Sequence, residues 1–314
     1  MAFVAPTDMN FSMKNIIMIL SGLPSTWKTS LAFSAPDCVL FDLDEGLARV
    51  DPHFRKDASI CKNYEEFLSD VETIKKNHKY KTVIIDTCGA LIELMKDWAM
   101  RTDPKASKKD GGFSLQGYGI IKSEFLRLSS DLRRNFNVIF VFHESMEKNE
   151  DGSIYYNIVV EGSARTLVYQ PADLAGHLFI QGGRHFIGFT PTEQYMAKSS
   201  YGIKGIMELP EVGEGEENVF LTKLFAKVRK NLDAQAQILA PQKSNYDEVM
   251  VSVREFVANI EKPEDVIPAL QAIKGLPHAL TSKEEAQAAV KARVAELGIV
   301  YDKATKSYKY AEAE

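Results

Sequence analysis

Four short stretches of this chain carry side chains whose types and spacing suit phosphate chemistry. The first is Gly22-Leu23-Pro24-Ser25-Thr26-Trp27-Lys28-Thr29-Ser30, which follows the apolar run Ile16–Leu20. A loop of this kind turns successive backbone N–H groups inward as an anion nest, and a helix beginning behind it adds its positive end. Lys28 supplies a point charge for β- and γ-phosphates, and Thr29 a hydroxyl for Mg²⁺. The pattern G-x-x-x-x-G-K-[ST] asks for glycine where this chain has Trp27. Glycine takes unusual φ/ψ and close backbone approach freely, and Trp does not. Alone, the stretch also reads as an ordinary strand–turn–helix that starts on Lys-Thr, so its context decides.

The second stretch, Thr82-Val83-Ile84-Ile85-Asp86-Thr87, is an apolar strand ending in a carboxylate. Opposite a phosphate loop, such an Asp contacts the Mg²⁺ shell. The next residue is Thr87 rather than Glu, so a carboxylate that activates water must come from elsewhere. The third stretch, Asp42-Leu43-Asp44-Glu45-Gly46, is the natural source. Alternation places Asp42 and Asp44 on one side and Glu45 on the other, and either Asp44 or Glu45 can be the base. The fourth, Val138-Ile139-Phe140-Val141-Phe142-His143-Glu144, ends a core strand on a polar pair. His143 is placed there to sense a γ-phosphate, although a histidine at a strand end is often only a hydrogen-bonded structural residue.

These residues need strands to deliver them. Strand patterns fall at 15–21, 38–43, 81–86 and 137–143, separated by helix patterns at 28–35, 64–77, 88–101 and 117–135. Short apolar strands alternating with amphipathic helices predict an α/β fold with a mainly parallel central sheet flanked by helices. Ligands bind such sheets at the carboxyl ends of the strands, where all four stretches end. From 152 to 209 the texture becomes short β-like runs with glycine-rich turns, which predicts hairpins extending the sheet edge. Helical spacing returns at 219–232. Beyond Pro241, helix patterns at 246–260, 263–273 and 282–297 and a hairpin over 298–310 predict a small, mostly helical C-terminal unit. The expected organisation is an N-terminal segment 1–14, a core 15–240 and that unit, 241–314.

Hydrophobic residues make up 45% of the 314 and charged residues 26%, an ordinary globular balance. Cys38, Cys61 and Cys88 are odd in number and form no C-x-x-C pair, which argues against a disulfide framework or a zinc knuckle. No apolar run approaches a membrane span and the start lacks a signal pattern, so a cytoplasmic location is expected. A net charge of −5 gives no global attraction to nucleic acid, leaving local basic patches. Three are visible: Lys105, Lys108 and Lys109 in a Gly-ended loop; Arg165 with Tyr155, Tyr156 and Tyr169; and Lys223, Lys227, Arg229 and Lys230 on one helix. Each also fits an ordinary solvated surface.

Taken together, the Gly22–Ser30 loop, Phe41–Leu47, Val83–Thr87 and Phe142–Glu144 resemble the RecA-like ATP-binding proteins of bacteriophages, and among them the Sak-type single-strand annealing ATPases. The resemblance spans roughly residues 12–235, including Ala197–Gly202. It implies a RecA-like P-loop NTPase core that hydrolyses ATP with Mg²⁺ and pairs single-stranded DNA in phage recombination or replication. It also implies a homo-oligomeric ring or filament and a single-strand binding protein as a further partner. Residue by residue, Lys28 and Thr29 match the phosphate and Mg²⁺ positions, and Asp86 the second Mg²⁺ position. Asp44, with Glu45 adjacent, matches the catalytic carboxylate. His143 matches the strand-end sensor, and Lys198 falls near lysines that reach a neighbour's ATP across a subunit interface. A helicase or helicase-loader ATPase, and a nucleotide-gated scaffold with negligible hydrolysis, are the alternatives.

Overall fold

The computed structural model describes residues 15–160, 164–213 and 216–311, so the expected N-terminal segment 1–14 lies outside the described residues. The chain divides between Asn231 and Leu232 into two compact units. In the first, strands β1 (Ile17–Gly22), β2 (Cys38–Asp42), β3 (Ala58–Ile60), β4 (Thr82–Asp86) and β5 (Asn137–Lys148) alternate with helices α1 (Lys28–Ala32), α2 (Tyr64–Lys76), α3 (Cys88–Thr102) and α4 (Leu115–Asn135). Then follow β6 (Ile154–Ile158), the short α5 (Ala164–Leu167), β7 (Leu174–Gln181), β8 (Arg184–Gly188) and β9 (Ile206–Glu208). The sheet order is β3-β2-β4-β5-β1-β7-β8-β9, with β6 paired to the extension of β5. Pairing is parallel from β3 to β7 and antiparallel at the β5–β6, β7–β8 and β8–β9 pairs.

The reason for this arrangement is visible along the strands. β1, β2 and β4 are buried at every position, the signature of strands covered on both faces. Their residues form one core with Phe67, Val71, Leu91, Met95, Phe125 and Leu128 from the flanking helices. Asn63, Thr87 and Ser114 cap α2, α3 and α4, each accepting a backbone N–H with its side chain.

α1 is shorter than the 28–35 pattern suggested. It ends at Ala32, and i→i+3 bonds from Ser34 to Leu31 and from Ala35 to Ala32 tighten the chain before Pro36. So short a helix contributes little dipole to the loop in front of it. The 152–209 texture predicts only hairpins at the sheet edge, but the first half of β7 runs parallel to β1 and its second half pairs antiparallel with β8.

α6 (Phe220–Ala258) carries Pro241 in its interior and has residues on both sides of the division between the units. The second unit continues with α7 (Pro263–Lys274), α8 (Ser282–Glu296) and the antiparallel pair β10 (Ile299–Asp302) and β11 (Ser307–Tyr310). Its core joins Val249, Val253, Ile260, Val266, Ile273, Val290 and Ile299. Among the described residues, no helix is long and apolar enough to cross a membrane.

Candidate active site

Strand register brings the four stretches to one end of the sheet. Gly22 lies beside His143, and Asp42 beside Asp86. The loop between β1 and α1 then folds over this edge. Gly22 has no room for a side chain, because a Cβ there would sit 2.7 Å from both Leu178 O and Thr26 Oγ1. Thr26 Oγ1 donates to Leu23 O at 2.8 Å, closing the loop on itself. A cavity of about 270 Å³ opens in front of it, lined by Pro24 to Ser30 and by Asp44, Arg49, Asp86 and His143. Gly22 and Leu23 shape this loop from behind, and Glu45 is exposed outside the cavity lining.

Trp27 takes the conformation that glycine would take in the pattern. Its backbone is left-handed, with φ 65° and ψ 28°. For a bulky residue this costs about 1–2 kcal/mol. The indole stacks face to face on His185 of β8, with ring centroids 3.5 Å apart and planes 11° from parallel. His185 Nε2 also lies 3.3 Å from Ser25 O, so one ring on β8 holds two points of the loop. Nothing local marks His185 in the sequence, since its partner is 158 positions away.

The Lys28 ammonium donates to Gly22 O at 3.0 Å and Leu23 O at 2.7 Å. Burial pulls its pKa below the usual lysine value, and the charges of Asp86, Glu144 and Asp44 oppose that pull. Thr29 Oγ1 donates to Asp86 Oδ2 at 2.5 Å. Burial raises the Asp86 carboxyl above its ordinary value, and the Thr29 hydrogen bond works against it.

Asp44 is placed by a turn rather than by strand alternation, because β2 ends at Asp42. The buried Asp42 carboxylate accepts from Gly46 N at 2.7 Å and Leu47 N at 3.0 Å, which fixes the turn and aims Asp44 at the cavity. Glu45 takes a left-handed backbone there. Asp44 Oδ2 lies 3.3 Å from His143 Nε2 and 3.5 Å from Arg49 Nη2. The His143 hydrogen bond holds the Asp44 carboxyl below the ordinary range, burial opposes it, and Arg49 assists.

Glu144, the next residue of β5, is buried with its Oε1 3.0 Å from His177 Nδ1 on β7. His177 in turn stacks on Tyr195 at 4.0 Å. Local pattern marks Glu144 only as half of a polar pair and gives no sign of His177, whose strand pairs with β1 over a long range.

The remaining candidates lie away from the cavity lining. Lys198 Nζ donates to Tyr169 O at 3.1 Å. Lys105, Lys108 and Lys109 are exposed, on a turn ordered by Lys108 N donating to Gly112 O. Arg165 pairs with Glu147 at 3.1 Å and lines a neighbouring cavity of about 410 Å³ with Thr87 and His143.

The donor set fits a Mg²⁺-nucleotide. Thr29 and Asp86 present two hard oxygens, and Mg²⁺ is commonly held by one or two such groups together with substrate phosphates. Asp44 lines the cavity and carries a carboxylate, and its Oδ1 is buried with no hydrogen-bond partner. The sequence has no match among curated proteins. Residues 14–201, more than half of the chain, match the family model AAA_24, described as an AAA domain. The phosphate loop, the Thr29–Asp86 pair and the parallel sheet all fall within that match, and the chain belongs to this family of P-loop ATPases.

Proposed function

We propose that the chain is an ATP-hydrolysing, RecA-like recombination protein of a bacteriophage that couples nucleotide state to binding and annealing single-stranded DNA as a homo-oligomer. One observation carries the coupling: His143 lines both the phosphate cavity and the neighbouring cavity that contains Thr87 and Arg165. A change at Asp44 or at a phosphate therefore reaches the second cavity through a single side chain.

In this reading the loop amides and Lys28 hold the phosphates, Lys28 exchanging its two loop carbonyls for phosphate oxygens. Mg²⁺, when bound, neutralises phosphate charge and orients the transferred group. Thr29 and Asp86 would hold it. Asp44 stays ionised and accepts a proton from the attacking water, and His143 keeps the carboxylate oriented. Exposed Lys105, Lys108 and Lys109 and the Arg165 side chain supply the backbone contacts to DNA.

The test is Mg²⁺-ATP hydrolysis by the purified chain, with and without single-stranded DNA, beside Lys28→Ala. The expected result is turnover that DNA stimulates and that Lys28→Ala abolishes. Turnover that needs Lys28 and ignores DNA overturns the coupling and favours a helicase-loader ATPase. Nucleotide binding without turnover favours a nucleotide-gated scaffold.

A further inference from the structure

Apart from His143, the cations among the described residues lining the phosphate cavity are Lys28 and Arg49. Lys28 is committed to the loop through Gly22 O and Leu23 O. Arg49 is held far more loosely. Its Nη2 lies 3.5 Å from Asp44 Oδ2, longer than an ordinary charge-assisted hydrogen bond, and its side chain is 67% exposed.

The backbone beneath it is fixed. Asp42 accepts from Gly46 N and Leu47 N at the start of the short 3₁₀ turn Gly46–Arg49. Arg55 closes the other end, its Nη2 donating to Ala48 O at 3.0 Å and its Nε to Val50 O at 2.9 Å. Leu43 N donates to Asp86 O at 2.7 Å, which ties the turn to the end of β4. Gly46 leaves the space that the guanidinium uses. A Cβ there would sit 2.8 Å from Asp44 Oδ1 and 3.3 Å from Arg49 Nη2. A loosely paired guanidinium on a clamped backbone can change partners while the fold stays in place.

Hydrolysis offers it that second partner. As a water oxygen bonds to the γ-phosphorus, its proton passes to Asp44, and the bond to the bridging oxygen breaks with its electron pair leaving on ADP. Negative charge is then spread over the transferring group and the leaving oxygen, and a planar guanidinium donates to two such oxygens at once. We propose that Arg49 is a catalytic residue of this ATPase, leaving Asp44 for the γ-phosphate of the nucleotide bound to its own chain. Asp44 gains by the exchange. His143 and, behind it, Arg49 hold the Asp44 carboxyl low, so losing the second of these makes it a stronger base as phosphate arrives. The inference rests on the ATP-hydrolysing reading above and adds a transition-state cation supplied in cis.

The experiment compares the full chain with Arg49→Ala and Arg49→Lys for Mg²⁺-ATP turnover. It also measures binding of Mg²⁺-ADP with and without fluoroaluminate, a mimic of the transferring phosphoryl group. Arg49→Ala is expected to lower kcat about 10³-fold while ADP affinity stays near wild type. Its affinity for ADP–fluoroaluminate falls in step with kcat, which a merely structural role would not produce. Arg49→Lys recovers little of the lost rate, because an ammonium cannot span two oxygens. Mixing Arg49→Ala with Lys28→Ala locates the arginine. A mixture that stays inactive supports the cis assignment, and one that regains turnover places the arginine on a neighbouring chain and overturns it. The inference is also overturned if Arg49→Ala keeps the wild-type kcat, or if its whole loss lies in ATP affinity. Wild-type protein without turnover that binds ADP–fluoroaluminate no more tightly than ADP overturns the ATP-hydrolysing reading with it.

Discussion

The two ends of the central sheet bury the same kinds of polar residue and treat them differently. At the amino ends of the strands, Asn137 Oδ1 accepts from Ile16 N and its Nδ2 donates to Lys81 O. Asp173 Oδ2 accepts from Ile17 N at 3.0 Å and pairs with Arg133 at 2.5 Å, and its Oδ1 accepts from Tyr201 Oη. At the carboxyl ends, Asp44 Oδ1, His143 Nδ1 and His185 Nδ1 are buried without a hydrogen-bond partner. Glu144 Oε2 lies 2.9 Å from His177 Nδ1 but outside hydrogen-bond geometry. A saturated polar cluster pins strands in place. One with unused capacity is costly in a fold and useful in a site. The C-terminal unit marks the other extreme, since among its described residues only Ser282 is a buried polar side chain.

If that division is right, substitutions at the two ends separate activity from stability. The largest effect belongs to Asp44→Asn. It keeps the size and the His143 contact but cannot take a proton, so kcat falls about 10²–10⁴-fold while nucleotide affinity and melting temperature stay near wild type. Glu45→Gln, on the exposed side of the turn, leaves kcat within a factor of two or so. Steady-state kinetics on the pair decide it, and a collapse in Glu45→Gln alone moves the base to the other carboxylate.

Asp173→Ala is the converse. It leaves Arg133, Ile17 N and Tyr201 without their shared acceptor, so stability falls by about 3 kcal/mol. Urea unfolding measures the loss, and kcat per folded molecule stays at the wild-type value. A kcat loss without a stability loss would break the comparison, because the amino end would then take part in the chemistry.

The sequence made the strands of the central sheet and the phosphate loop legible for one reason: both are written in local patterns. Apolar runs and the Lys28-Thr29 pair are contiguous, and strands β1, β2, β4 and β5 appear close to where their periodicity placed them. The rest depends on long-range pairing. Strand alternation could not choose between Asp44 and Glu45, because β2 ends before them and a turn held by Asp42 does the sorting. Trp27 looked like a defect because the residue that stabilises its conformation stands on β8. β3 and β9 are three residues each, too short for a period to show.

Asp86 sharpens the contrast through pH. Burial raises its carboxyl above the ordinary value of 3.8, so the folded chain holds that proton more tightly than the unfolded chain does. Stability therefore falls as pH rises from about 3.8 through the raised value, and the loss persists above it. Asp86→Asn removes this slope while the amide oxygen still accepts from Thr29. Without nucleotide, the variant unfolds at higher urea than wild type at pH 7, and the gap closes towards pH 4. Lys28 keeps its two loop carbonyls and the charges of Glu144 and Asp44, so the gain is not cancelled by an abandoned cation. Equal stability at both pH values would mean that the buried carboxylate is already fully compensated, as at the amino end.

The smallest expected effect tests whether His185 belongs with the site or with the frame. Its ring gives the left-handed Trp27 a stacking surface, and aromatic pairs of this kind contribute about 0.5–1.5 kcal/mol. His185→Ala therefore weakens nucleotide binding about two- to tenfold, and His185→Phe, which keeps a ring, restores most of it. A double-mutant cycle isolates the cause. Trp27→Gly adopts the same backbone without needing the stack, so adding His185→Ala to it costs little further. If His185→Ala costs the same in both backgrounds, the histidine acts through Ser25 O rather than through the indole, and Trp27 is tolerated in the loop instead of being held there.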